Sequence, residues 1–394
     1  MRAALISCAA AACGLGLLLG AEGERAESPA AVAQPAPPAP PARPARYRVP
    51  RHPVRVSTAH ELRAALARER PTAIVLAPGT YTSRDAFLNP HGHRLYAARR
   101  GRAVLRAGLS LGGNAGRPGA LVRGLAFDIR DPARTVDGAA ISVWGTGRDV
   151  RILDTTVRGH GTARAGISAR QPEGLRVARV VVRGFTDYGI IVDANEAGRG
   201  ALADPFRVED ADVAHVARPA PGSSDGTAEA CVWIGNTGTV RRVRVRDCAW
   251  AGVWTGTATL RATVEDVNVD RARTGVYVEH FTRESTFRRL RIGPQVRVGL
   301  TAEWADPAWG RRPASIDNVI ELSRFESSVA GVYLDEGTTR TTVRRSSFRN
   351  QTWAAIGDYR GNGNAYGEND YGGIAPGAQP VRQDHLSSAM EGPR

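Results

Sequence analysis

From about residue 138 the chain repeats one short phrase: a small residue, usually glycine, then a strand-like alternation of apolar and polar side chains. It reads GISAR at 166, GIIVD at 189, CVWIG at 231, GVWTG at 252, GVYVE at 275, GLTAE at 299, GVYLD at 331 and AIGDY at 355, with AISVW at 140 upstream. The intervals from 166 onward are 23, 42, 21, 23, 24, 32 and 24 residues. Between the phrases lie further strand-like stretches such as VRRVRVRDC, ATVEDVNVD and STFRRLRIG, where β-branched residues alternate with Arg, Asp and Asn and no helical period appears. A unit of about 23 residues with two or three short strands cannot bury its own apolar side, so units must stack and share a core. The leucine and asparagine pattern of leucine-rich repeats is missing, and a propeller blade needs about 40 residues. The pattern therefore predicts an all-β parallel β-helix, a solenoid of roughly ten coils. The recurrent glycine is read as a turn requirement.

The domain opens on STAHELRAALARERPTAIVLAPGTY. Thr58 with Glu61 three residues later forms a capping box. A short amphipathic helix with Leu62, Ala65 and Leu66 on one face follows. Such a helix would cover the first coil, whose open edge invites aggregation. This helix, IVLAPGTY and the repeats together resemble the pectate-lyase-like right-handed β-helix superfamily over roughly residues 57–375. The resemblance implies a right-handed coil stack with a helical N-terminal cap. It does not fix an activity, because that superfamily holds lyases, glycoside hydrolases, epimerases, esterases and non-enzymatic surface proteins. Its familiar active-site patterns are incomplete in this chain. GHG at 159–161 lacks the companion acidic motifs of polygalacturonases, so His160 is read as a turn residue. NPHGH at 89–93 only loosely echoes the epimerase motif. The lysine base of chondroitinase-B-type lyases has no counterpart, since the chain contains no lysine.

Outside the repeats the organisation is simple. Residues 1–26 read as a signal peptide or N-terminal membrane anchor: a short basic start, a long apolar run, then small residues at 21–23. Residues 27–56 are a Pro/Ala-rich linker, extended and mobile; 57–375 form the β-helix; 376–394 are a C-terminal tail. The body is expected to be secreted or extracytoplasmic, and monomeric. The formal charge is +14, and all 53 basic residues are arginine. Genomic base composition accounts for that usage, and attraction to an anionic polymer is the functional alternative. The arginines are scattered, with no basic tract or aromatic-interleaved patch, which argues against nucleic acid. Cys231 and Cys248 are the cysteines of the body; they have no metal-type spacing and fit either a disulfide or buried thiols.

The repeat register locates the candidate chemistry. With the small residue as position zero, position one points inward: Ile167, Ile190, Val232, Val253, Val276, Leu300, Val332 and Ile356. Position two points outward and supplies Trp233, Trp254, Tyr277 and Tyr333, flat faces suited to sugar rings. Position four supplies Glu279, Glu303 and Asp335 in three consecutive coils. Carboxylates about 5 Å apart repel by about 3 kcal/mol at an effective dielectric of 20. Such a row shifts proton affinities or invites a cation, with Ca²⁺ as the candidate cofactor. Split carboxylate affinities are what glycosidic cleavage uses. His280 at the corner adds a candidate base, and Arg360 a group for anions; Trp304 follows Glu303 into the loop ADPAWGRRPAS. Arg311 and Arg312 in that loop could instead balance the acids. Two functions are expected from this pattern. One is an exported enzyme that cleaves a polysaccharide, anionic or neutral, by hydrolysis or, with Ca²⁺, by elimination. The alternative is a non-catalytic envelope protein that binds glycans.

Overall fold

A computed structural model describes residues 51–112, 119–144, 149–170, 172–193, 205–216, 230–256, 259–302, 315–360 and 363–386. Chain contacts separate residues 1–45 from a unit spanning 46–394, and the described residues all belong to the second. The expected leader or anchor and most of the linker lie outside the described residues. Among the described residues no helix is long and apolar enough to cross a membrane.

The unit is a right-handed parallel β-helix. Each coil contributes short strands to successive faces, and each strand pairs in parallel with its counterpart one coil on. One such coil holds Ala165–Arg170, Arg176–Ala178 and Val181–Phe185, which pair with Tyr188–Asp193, Phe206–Glu209 and Asp212–Val216 of the next. The face that carries the repeat phrase begins at Phe87–Asn89 and ends at Gln379–Arg382. The stack therefore includes a strand beyond residue 375.

The entrance is closed as the sequence predicts. The helix Ala59–Leu66 starts with a reciprocal capping box between Thr58 and Glu61, and buries Leu62, Ala65 and Leu66 over the first coil. The position-one residues Ile167, Ile190, Val232, Val253, Val276, Leu300, Val332 and Ile356 are all fully buried in one continuous core.

The glycine column has a different cause from the expected turn. Gly166, Gly189, Gly252, Gly275, Gly299 and Gly331 have no left-handed backbone; instead each lies hard against the coil above. A Cβ on Gly275 would sit 2.4 Å from the Gly299 carbonyl oxygen and 2.9 Å from the Ile292 side chain. Backbone contact between coils is what excludes a side chain. Gly275→Ala should thus lower stability by about 1–3 kcal/mol, the usual cost of overpacking. Chemical denaturation would show it, and an unchanged midpoint would contradict the close approach.

Left-handed backbone does occur at the opposite corners, in residues other than glycine. Asp154, Arg179, Asp210, Arg242, Asp266 and Arg289 occupy one column in consecutive coils with φ between 51° and 55°. They pair in twos: Arg179 with Asp154 at 2.7 Å, Arg242 with Asp210 at 2.5 Å and Arg289 with Asp266 at 2.7 Å. Arg340 with Asp317 and Arg345 with Glu368 repeat the device at corners further along. Several arginines therefore join coil to coil through carboxylates. The two body cysteines, left open by the sequence, form a disulfide with Cα atoms 5.7 Å apart.

Candidate functional site

The position-two residues stack in register up one outer face: Ser168, Ile191, Trp233, Trp254, Tyr277, Thr301 and Tyr333. Trp233 and Trp254 are half-buried, with part of each ring in solvent. The Trp233 indole packs directly against Gly256 of the coil above, where any Cβ would collide with its ring. Position four is glycine here so that the indole can rest on the sheet. Gly256→Val should tilt the ring and weaken ligand binding much as Trp233→Ala does, without removing an aromatic group. Paired titrations of the two variants check this.

Two of the four predicted aromatic residues are not open to solvent. Tyr277 is 9% exposed, shielded edge-on by Trp254 at 4.8 Å and by Trp250 at 6.2 Å. Tyr333 is 1% exposed, and here the sequence expectation of a substrate-binding surface needs correction. After Gln379–Arg382 the chain returns over the outer face. Leu386 is buried on Tyr333, and its backbone N–H donates to the tyrosine hydroxyl at 3.3 Å. Trp353 covers another side at 6.0 Å, and His385 packs edge-on against Tyr359 at 4.7 Å. The register was read correctly; the cover comes from the chain end.

Glu279 and Asp335 each accept from an aromatic donor of their own face. The Trp254 indole N–H donates to Glu279 Oε2 at 3.0 Å. The Tyr333 hydroxyl donates to Asp335 Oδ1 at 3.2 Å, and the Glu336 backbone N–H donates to the same oxygen at 2.8 Å. Glu303 and Trp304 lie outside the described residues, as do Arg311 and Arg312. His280 is not an accessible base. It is buried beside the Phe281 ring at 4.9 Å, because Phe281 turns the chain through a left-handed backbone with φ 64°. Arg360 is exposed at the corner, stacked on Tyr359 at 4.9 Å and 3.3 Å from the Glu336 carboxylate. Among the described residues no group of three or more His, Cys, Asp or Glu is placed to hold a metal ion. His160 sits in a turn, as expected, with Nε2 on the Asp128 carboxylate at 2.5 Å. Burial works against ionisation of Asp128, but His160 and Arg130 together hold its carboxyl below the usual range.

The sequence reading missed Tyr188 and Trp250, which pack with Trp233, Trp254 and Tyr277 in one aromatic cluster on this face. Both stand just before the small residue of their coil, outside the alternation counted after it. The signal was there: Trp250 stands two residues ahead of Gly252.

No protein-family model matches the chain, and no curated protein matches its sequence. Solved structures do match in fold. One is the catalytic unit of a thermostable α-1,3-glucanase from Streptomyces thermodiastaticus, 12% identical, with a TM-score of 0.55, covering 84% of this chain and 68% of the other. Another is PfbA, a surface adhesin of Streptococcus pneumoniae, 10% identical, TM-score 0.51, covering 80% and 88%. A third is the A-module of the mannuronan C-5 epimerase AlgE4 from Azotobacter vinelandii, 14% identical, TM-score 0.48, covering 83% and 94%. At these identities the first two likenesses bear on fold alone and agree with the right-handed parallel β-helix. The particular activity has to come from the face just described.

Proposed function

We propose that the aromatic face binds a polysaccharide laid along the coil axis, and that Glu279 and Asp335 cleave its glycosidic bonds. The observation that carries the binding is the half-buried Trp233 ring, packed against Gly256 and adjacent in register to Trp254. A flat apolar ring beside hydrogen-bonding groups is the usual composition of a site for a polar ligand with apolar faces. Glu279 would act as general acid next to this platform. Asp335, oriented by two donors, would act as base toward a water. Glu303 stands between them in the sequence register and belongs to the same proposed site, with Trp304 beside it. The fold-level likeness to a glucanase supports cleavage. A binding-only surface role is the second reading. It is supported by the adhesin likeness and by the Trp254 indole already engaging Glu279. Export belongs to the proposal as well, supported by the N-terminal apolar run and the disulfide.

The test is a screen of neutral, uronic and sulfated glycans with two readouts, new reducing ends and absorbance at 235 nm. Reducing ends alone support hydrolysis; absorbance at 235 nm would move the reaction to elimination. Trp233→Ala should weaken glycan binding by about tenfold or more, as truncating a central aromatic anchor does. Full affinity in that variant would remove the platform from the site.

A further inference from the structure

Beyond Trp233 the same face continues toward the N-terminal coils through Ile191 and Ser168, and its character changes. The aromatic rings give way to the smaller side chains of Ile191 and Ser168. A shallow pocket opens there, lined by Asp137, Arg164, Ala165, Ser168, Arg170, Ile191 and Asp193. Arg170 lies over the Trp144 ring, 4.8 Å from its centroid. Other arginines of this face are stacked in the same way: Arg164 on Tyr188 at 5.9 Å and Arg273 on Trp250 at 4.3 Å. Arg164 is also 3.2 Å from the Asp187 carboxylate. Arg170 has no ion pair among the described residues. The contrast with the corner columns is chemical. There, arginine clasps a carboxylate of a neighbouring coil; here, it is propped on an indole.

A guanidinium held over an aromatic ring has part of its side-chain freedom already restricted. Less of it is then lost when two oxygens dock on the N–H fork. That geometry matches a carboxylate or a sulfate and has no comparable partner in a neutral sugar. Asp137, also in the pocket lining, is an acceptor suited to sugar hydroxyls. We propose that this pocket is a subsite for a sugar unit bearing an acidic group, read by Arg170 on Trp144, so that the glycan is an anionic polysaccharide. This rests on the polysaccharide reading of the neighbouring aromatic face and narrows it.

Affinity electrophoresis of the full chain tests both separately. Native gels would contain polygalacturonate, alginate, dextran sulfate or uncharged dextran, in buffer salty enough to screen the net positive charge. The wild type should be retarded by at least one charged polymer and not by dextran. Polygalacturonate or alginate would identify a carboxylate, and dextran sulfate alone a sulfate. Arg170→Ala should weaken that retardation about tenfold or more. Arg94→Ala, which removes an exposed arginine from another face, should leave it unchanged. Arg170→Lys, which keeps the charge and loses the fork, should fall close to the alanine variant. Retardation of Arg170→Ala equal to the wild type, or equal retardation by dextran, overturns the acidic subsite. If Trp233→Ala still weakens binding in that case, the polysaccharide reading survives it. If no polymer retards the wild type, both fall.

Discussion

Asp154→Asn should destabilise the coil stack by about 3 kcal/mol, the scale of breaking a buried ion pair. The Asp154 side chain is fully buried. Arg179 donates to both its oxygens, at 2.7 and 3.1 Å, and Arg123 donates to one at 3.0 Å. Asparagine tolerates the left-handed backbone at this corner, so the substitution removes charge without adding strain. Burial alone would raise the Asp154 pKa. The hydrogen bonds and charges of Arg179, then of Arg123, outweigh it and hold the carboxyl below the usual range. The native pKa is therefore depressed. The pair contributes in full above the unfolded value of about 3.9, and its contribution is lost as pH falls through the native value. Wild type and variant should differ most near neutrality and converge in acid. Asp317→Asn supplies the comparison. Its pair with Arg340 has the same corner geometry at 2.7 Å, but both side chains are largely exposed, and its loss should cost little. Denaturant titrations at neutral and acid pH would decide. A similar cost for the two variants would mean that burial does not set the strength of this ladder.

The coil stack was legible because a period of about 23 residues leaves few other ways to bury one apolar side per strand. Inward and outward parity was legible for the same reason, and it held from Ile167 to Ile356. What escaped depended on contacts between distant coils. Tyr333 was read as open because nothing in its own repeat covers it; Leu386 arrives from the chain end 53 residues later. The corner pairs join residues 23 to 32 positions apart, so arginines that look scattered along the chain are aligned only once register is known. Trp254 and Glu279 could have been joined in advance. They occupy outward positions two and four of consecutive coils, and a long indole reaches the next coil at that offset. The repulsion expected along the acidic row was argued from backbone spacing alone. The structure supplies Glu279 and Asp335 with aromatic donors, a partner choice that spacing cannot reveal.

Glu279→Gln should lower turnover of the glycan found in the screen by about 10²–10⁴-fold, the usual contribution of a positioned acid or base. Affinity should change far less, because glutamine can still accept from the Trp254 indole and keep the platform in place. Asp335→Asn should fall by a similar factor while it keeps an acceptor for Tyr333 and the Glu336 N–H. Glu279 and Asp335 flank one intervening coil, which sets their strands about 10 Å apart. That strand spacing is close to the separation of about 6.5–9.5 Å at which a water fits between acid and base. Cleavage should then invert the anomeric configuration, and NMR of the first product formed would show it. Retention would require a nearer pair and would shift the role of Asp335 to Glu303, the next residue along the same row. If both variants bind and turn over as the wild type does, these carboxylates are structural acceptors for the aromatic face. A wild type that binds glycans and releases no product would leave the surface-binding reading in place of catalysis.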